Sequence, residues 1–157
     1  MRLTTTLNRI RDCGPCTTGW RKLLDYLGKD FDPDAEINLL TLLDSNNVPD
    51  LLWTLRATVQ DSRKVASRLA IEFAEQVLPI FEQRYPDDLR PRQAIQAARD
   101  YLDGKISVEE LRAAAYADAA YAAAAYAAYA AYAAADAADA AAAARKKQAE
   151  IIRSILE

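Results

Sequence analysis

Two cysteines separated by two residues, Cys13-Gly14-Pro15-Cys16, are the residues whose type and spacing most directly suggest chemistry. The periodicity that follows them predicts a helix capped by Thr17 or Thr18. The N-terminus of a helix stabilises a thiolate, which is the nucleophilic and metal-binding form of cysteine. The pair could therefore exchange disulfides, or it could supply two of the four ligands that a structural zinc ion needs.

Three interpretations of this pair stay open. Cys-Gly-Pro-Cys is the active-site sequence of thioredoxins, but there it follows a β-strand of a βαβ unit, whereas the segment before Cys13 has helical spacing. A zinc site would have to be shared between two copies, because the chain has two cysteines and no histidine. In the third interpretation Gly14-Pro15 makes a turn between two helices, and Cys13 and Cys16 stay reduced. Apart from a shared zinc ion, we expect no metal and no cofactor.

An acidic segment supplies a second group of candidates. Three aspartates at alternating positions from Asp30 have the spacing of a calcium loop, but the sixth position is Ala35 instead of glycine and the twelfth is Thr41 instead of glutamate. Calcium binding is therefore not expected. Residues 30–50 contain carboxylates and no basic residue, so the segment is either a solvated surface or the contact for a basic partner. The candidate partner-binding residues here are Asp32, Asp34 and Glu36.

The composition limits the function classes. A formal net charge of −3 argues against non-specific nucleic-acid binding, which needs a basic surface. The sequence has no apolar run long enough to span a membrane, and it begins with a polar stretch instead of a signal peptide. We therefore expect a cytoplasmic protein without direct membrane or nucleic-acid contacts. Histidine is absent, which removes the commonest general base, and we expect no enzymatic activity.

Most of the candidate partner-binding residues lie in the C-terminal segment from Ser107 to Glu157. This segment has no glycine or proline and is rich in alanine, the strongest helix former. Ser107 and Glu110 form a capping-box pattern, and Ile106 and Leu111 fit a hydrophobic staple. The segment predicts one helix of roughly 45 residues, about 70 Å long. Near its end, isoleucines and a leucine share an apolar face, which predicts that the tail docks on other helices.

Steps of three and four residues place tyrosines and aspartates on one line of this predicted helix. We call it the Tyr/Asp ridge, and its candidate partner-binding residues are Tyr121, Tyr129, Tyr132, Asp136 and Asp139. The ridge is either a solvated face or a contact surface, because tyrosine is enriched at interface hot spots. The opposite face is almost entirely alanine, from Ala113 to Ala138, and it could pack on the chain's own helices or on a second copy as a homodimer.

The rest of the chain also has helical periodicity, and no segment alternates like a strand, so the sequence predicts an all-α, multi-helix fold. Short helices are expected at residues 4–11 and 37–43, and a longer one with an apolar face from Val65 to Val77. We divide the chain into an N-terminal helical module (1–58) with the Cys-Gly-Pro-Cys turn, a helical motif (59–106) and the long helix (107–157). The whole chain is expected to be one compact unit.

The helical motif carries a family resemblance over residues 68–115. The shared pattern reads Ala74-Glu75-x-Val77-Leu78-Pro79-x-Phe81, then Pro86-x-Asp88-x-Arg90-Pro91-Arg92-x-Ala94-Ile95-x-Ala97-Ala98-Arg99, then Gly104-x-Ile106-Ser107. In these residues the chain resembles the immunity protein family of bacterial polymorphic-toxin systems, which also occurs in phage and prophage proteins. A purely structural purpose is the alternative for the charged residues, with Glu75 and Arg90 pairing between neighbouring helices.

The resemblance implies a helical, non-enzymatic protein that binds and neutralises a toxin or effector protein, and the acidic candidates favour a partner with a basic surface. A phage-encoded anti-defence inhibitor of a host nuclease system, of the anti-CRISPR type, would use the same kind of contact and is the alternative. Two other classes stay open: a thiol-dependent redox protein using Cys13 and Cys16, and a structural oligomer built through the alanine face.

Overall fold

The computed structural model describes residues 2–114 and 137–157, and over these residues the protein is predominantly all-α, as predicted. The helices are α1 (Leu7–Asp12), α2 (Thr17–Leu27), α3 (Thr41–Ser45), α4 (Val48–Thr54), a 3₁₀ turn (Leu55–Ala57), α5 (Arg63–Arg84), α6 (Arg90–Leu102), α7 (residues 108–114) and α8 (Ala137–Leu156). Residues 115–136, which would join α7 to α8, lie outside the described ranges, so one continuous C-terminal helix stays a prediction.

The chain divides into two compact units. The first comprises Met1–Ala66 together with Arg145–Glu157, and the second comprises Ser67–Ala144. The end of α8 therefore belongs to the same unit as the N-terminal helices. The division into segments 1–58, 59–106 and 107–157 stays a prediction.

A two-stranded antiparallel sheet is the feature that the sequence did not predict. Strand β1 (Thr4–Thr5) pairs with β2 (Ile37–Asn38), so the expected helices at residues 4–11 and 37–43 are wrong at their first residues. Strands of two residues are too short to produce an alternating pattern, and the apolar residues that follow them have helical spacing. Thr6 then caps α1, because its Oγ1 accepts a hydrogen bond from the Arg9 backbone N–H at 3.2 Å.

The core of the first unit joins residues from most of its elements. Its apolar side chains with almost no exposed area are Leu3, Leu23, Leu39, Leu51 and Ile152. Ile152 and Leu156 are buried, which confirms the expected docking of the tail. An exposed ion pair between Arg153 of α8 and Asp44 of α3, with a nitrogen–oxygen distance of 2.8 Å, lies beside this apolar contact. Burial of the apolar face is the main stabilising term, since an exposed pair contributes little.

The segment between α4 and α5 is fixed to β1 and α1 by side chains that bond its backbone. Thr5 is fully buried, and its Oγ1 donates to the Ala57 carbonyl at 2.7 Å. The Arg9 guanidinium donates to the carbonyls of Ala57 and Thr58 at 3.1 and 2.6 Å. These bonds satisfy carbonyl groups that would otherwise be costly to bury.

The second unit contains α6, α7 and most of α5. Along α5, Leu69, Ile71 and Leu78 are buried, and the helix continues through Pro79. The capping box at the start of α7 is confirmed: the Ser107 backbone N–H donates to Glu110 Oε2 at 2.8 Å, and the Glu110 backbone N–H donates to Ser107 Oγ at 3.2 Å. The first of these hydrogen bonds lowers the pKa of the Glu110 carboxyl.

No helix within the described ranges is both long enough and apolar enough to cross a lipid bilayer.

The Asp61 carboxyl, just before α5, is expected to titrate with a pKa of about 2, below its usual 3.8. The Arg63 guanidinium donates to both carboxylate oxygens, at 3.0 and 2.7 Å, and stabilises the ionised form. Because the folded pKa is lowered, the associated stabilisation is present above pH 3.8 and is lost as the pH falls towards 2. A carboxyl ¹³C NMR titration measures this pKa. In the Arg63→Gln variant it should return towards 3.8, and an unchanged value would contradict the assignment.

Candidate partner-binding surfaces

The Cys-Gly-Pro-Cys motif forms a turn between two helices. Cys13 is the C-cap residue that follows α1, Gly14 has a φ of 70°, which favours glycine, and Cys16 precedes the first residue of α2. Both cysteines are free and exposed. The predicted cap of α2, Thr17 or Thr18, is wrong by one or two residues, because Cys16 Sγ accepts the capping hydrogen bond from the Gly19 backbone N–H at 3.3 Å.

This geometry matches the structural interpretation of the motif, since a helix precedes it. Across the described ranges, no group of three or more histidine, cysteine, aspartate or glutamate side chains is placed to hold a metal ion. In this structure the Cys16 thiol occupies the N-cap position of α2, where serine is among the preferred residues.

The double substitution Cys13→Ser/Cys16→Ser is expected to leave stability almost unchanged. Serine retains an oxygen that can accept the Gly19 N–H, and exposed substitutions change the free energy of unfolding by about 0.5 kcal/mol or less. The melting temperature should therefore stay within about 2 °C of the wild type. Cys16→Val is the matched variant that removes the cap and should be less stable. A collapse of the double serine variant, or of the wild type in a chelator, would favour the shared-metal interpretation.

A cleft of about 230 Å³ opens behind this turn, within the first unit. Its walls are mostly apolar and include Cys16, Trp20 and Leu23 on one side and Pro49, Asp50 and Trp53 on the other. The two tryptophans of the sequence both line it. Residues from α1 to α4 contribute to the lining, so sequence spacing alone did not indicate the cleft.

Asn46 and Gly19 fix the polar wall of this cleft. Asn46 Nδ2 donates to the Gly19 carbonyl and to Asp50 Oδ2, both at 2.8 Å, and so connects α2 to α4. A Cβ on Gly19 would lie 3.0 Å from Asp50 Oδ2 and 3.2 Å from Cys16 Sγ. Glycine is therefore what allows the Asp50 carboxylate to lie this close to α2.

The acidic segment holds its candidates at the surface, where Asp32, Asp34 and Glu36 are exposed. Asp32 Oδ1 accepts from the Asp34 backbone N–H at 2.9 Å, which is an Asx turn. Asp34 Oδ1 in turn accepts from Asn8 Nδ2 at 2.5 Å. Two of the three carboxylates thus shape the loop or attach it to α1, and Glu36 is open to a partner.

Most of the Tyr/Asp ridge belongs to the part of the chain that the structure does not describe. Tyr121, Tyr129, Tyr132 and Asp136 lie outside the described residues, and Asp139 lies within helix α8. The ridge as a partner-binding surface therefore stays a prediction.

The charged residues of the helical motif form ion pairs between α6 and α5. Arg92 makes a bidentate pair with Glu82, with both distances 2.7 Å. The Arg99 guanidinium lies 2.6 Å from Glu75 and 3.3 Å from Glu72. Glu75, which was expected to pair with Arg90, therefore pairs with Arg99.

Arg90 contacts Asp88 at 2.7 Å, and its guanidinium lowers the pKa of that carboxyl. Asp88 Oδ1 also accepts from the Arg90 backbone N–H at 3.2 Å, at the start of α6. This pair shapes the corner between α5 and α6.

That corner carries exposed apolar side chains. Tyr85 and Leu89 are 39% and 53% exposed, and Ile80 is 48% exposed. Tyr85 and Leu89 line a concavity of about 690 Å³ that is formed by residues 84–90 and Gln93 and includes charged side chains. Phe81 supports Tyr85 with ring centroids 5.0 Å apart. Exposed apolar side chains beside a concavity are typical of protein-contact surfaces.

Residues 56–152 match the model of a family described as Imm-5 like putative immunity protein. The chain belongs to this family. No curated protein and no solved structure matches it significantly.

The Imm-5 like match includes the ion-paired helices α5 and α6, their exposed corner and most of α8. It also includes the sequence range of the Tyr/Asp ridge. All residues that line the cleft behind the cysteine turn precede the matched range, as does the acidic loop. The chain therefore presents an Imm-5 like region and, before it, a folded N-terminal part with its own cleft.

Proposed function

We propose that this protein binds a toxin protein directly and neutralises it without catalysis. The observation that carries the proposal is the Imm-5 like match, which extends over 97 of the 157 residues (56–152). The charged residues of the motif on α5 and α6 are engaged in ion pairs, as Arg92 with Glu82 and Arg99 with Glu75 illustrate. Carboxylates and guanidinium groups that pair with each other between two helices suit a rigid binding scaffold better than they suit acid–base catalysis.

The contact surface that we propose for the toxin is the Tyr/Asp ridge, extended by Asp32, Asp34 and Glu36. Tyrosine rings supply large contact areas at a low entropic cost, and carboxylates attract a basic partner. A toxin that acts on nucleic acids needs a basic groove to bind them. An acidic and aromatic surface could cover that groove. The exposed corner around Tyr85 and Leu89 is a further apolar contact within the Imm-5 like region.

We propose the cytoplasm as the place of this interaction. The two cysteines are free and exposed, which fits a compartment that keeps thiols reduced.

We also propose that the alanine face predicted from the sequence promotes a homodimer, because small side chains let helices approach closely. Light scattering at micromolar concentration should then report twice the monomer mass. A monomer over the whole concentration range would exclude this part of the proposal.

The proposed function is tested by co-expressing the protein with the candidate toxin encoded beside its gene. Growth inhibition by the toxin should be relieved, and the two proteins should co-purify in a fixed ratio. A matched control is a second toxin of the same reaction class from another locus, which the protein should neither bind nor neutralise. Relief of growth without a complex, or a complex without relief, would overturn neutralisation by direct binding.

A further inference from the structure

We propose that the cleft behind the cysteine turn is a receptor for one lysine or arginine side chain, presented by a basic segment of a partner protein. The cleft lies in the first unit and is lined entirely by residues that precede the Imm-5 like match. The inference therefore does not rest on the proposed toxin neutralisation.

The size of the cleft fits one side chain. Its volume is about 230 Å³, which is below the roughly 300–1,000 Å³ of sites that take drug-sized small molecules. Deep interface pockets that accept a single anchor side chain are the usual hot spots of protein complexes. The cleft is thus too small for a cofactor and suited to an anchor residue.

The residues that line the cleft indicate which anchor side chain it can bind. Trp20, Leu23 and Trp53 provide apolar and aromatic surface, which suits the aliphatic stem of lysine or arginine. Indole faces also attract cations, as the Arg56 guanidinium, 4.9 Å from the Trp53 ring centroid and outside the cleft lining, illustrates. The cleft therefore offers apolar surface to the aliphatic stem of a long cationic side chain and aromatic surface to its charged group.

Charge complementarity decides between a cationic and a purely apolar anchor. Asp50 is the one charged residue that the structure places in the cleft wall. Its Oδ2 is held by Asn46, while no described residue donates a hydrogen bond to its Oδ1. The acceptor position on Asp50 Oδ1 therefore favours a cationic anchor over a purely apolar one.

The test uses the purified full-length protein and end-blocked tripeptides Gly-Lys-Gly and Gly-Arg-Gly. Because both tryptophans of the chain line the cleft, the two indole N–H signals in NMR spectra report on its occupation. These signals should shift saturably with the lysine and arginine peptides. The uncharged Gly-norleucine-Gly peptide, which keeps the aliphatic stem, and Gly-Glu-Gly should bind at least tenfold more weakly.

The variant Asp50→Asn should weaken binding of the lysine peptide about tenfold, since it removes a charge-assisted hydrogen bond of about 1.5 kcal/mol. Asp44→Asn is the matched control: Asp44 belongs to the same acidic segment but pairs with Arg153 outside the cleft, so its variant should bind as the wild type does. Equal binding of the norleucine and lysine peptides, or an unchanged affinity in Asp50→Asn, would overturn the proposal.

A second measurement does not depend on how well the Asp50 variant folds. Cys16 is exposed and lines the cleft, so alkylating it with iodoacetamide in a Cys13→Ser protein adds a group at the cleft wall. Alkylation should abolish binding of the lysine peptide while the far-UV circular dichroism spectrum stays unchanged. Undiminished binding after complete alkylation would place the peptide elsewhere and refute the proposed site.

Discussion

Replacing Ile152 by alanine is expected to lower the free energy of unfolding by about 2–5 kcal/mol. Ile152 is fully buried, with 0% of its surface exposed, in the first unit, where the last turns of α8 complete the N-terminal core. The substitution removes apolar contacts and leaves a cavity that surrounding side chains fill only in part. Urea denaturation followed by circular dichroism measures the change, and the tryptophan fluorescence of Trp20 and Trp53 monitors the first unit separately.

Two control variants distinguish packing from other effects. Ile155→Ala removes the same atoms from a half-buried side chain of α8 and should cost clearly less than Ile152→Ala. Arg153→Ala breaks the exposed ion pair with Asp44 and should cost no more than about 1 kcal/mol. If all three variants were equally mild, the end of α8 would not be part of the core.

The apolar periodicity of the sequence was sufficient to predict most of the described helices and part of their buried faces. Leu69 and Val65 of α5 and Ile152 of α8 are buried as their spacing indicated. The same reasoning was wrong at Thr4 and Ile37, because a strand pair of two residues is specified by tertiary contacts. The Thr5 hydroxyl bond to Ala57 across 52 positions illustrates such a contact.

Local hydrogen-bonding patterns were predictable where both partners are close in sequence. The capping box of Ser107 and Glu110 is confirmed because it depends on a spacing of three residues. The pair of Arg92 and Glu82 was not predicted, since it depends on how α6 packs against α5. For the same reason, Glu75 was expected to contact Arg90 but contacts Arg99.

At the candidate sites too, contacts between residues distant in the sequence were not predicted. The cysteine turn was recognised from its sequence, but the cleft behind it was not, because Trp20 and Trp53 are more than thirty positions apart and line one cleft only after α2 and α4 pack. Asp50 was counted only as one member of an acidic segment. Its position beside Gly19 and Asn46 is what gives it a specific environment.

The triple substitution Tyr121→Ala/Tyr129→Ala/Tyr132→Ala is expected to abolish toxin neutralisation while the protein stays folded. Truncating a hot-spot aromatic side chain typically costs about 2 kcal/mol or more of binding free energy, which corresponds to about a 30-fold loss of affinity. Alanine is also the strongest helix former, so these substitutions do not oppose a helical conformation. Growth rescue in the co-expression assay and the affinity for the purified toxin measure the effect.

The control for this prediction comes from the same segment. Tyr116 and Tyr126 belong to the same alanine-rich sequence, but at helical spacing they fall off the line of the ridge. The double variant Tyr116→Ala/Tyr126→Ala should therefore keep neutralising activity, although it too loses aromatic residues from the segment. If the triple ridge variant unfolds, the ridge is core and not a contact surface. If it folds and still neutralises the toxin at full affinity, the contact lies elsewhere, and the exposed corner around Tyr85 and Leu89 becomes the next surface to substitute.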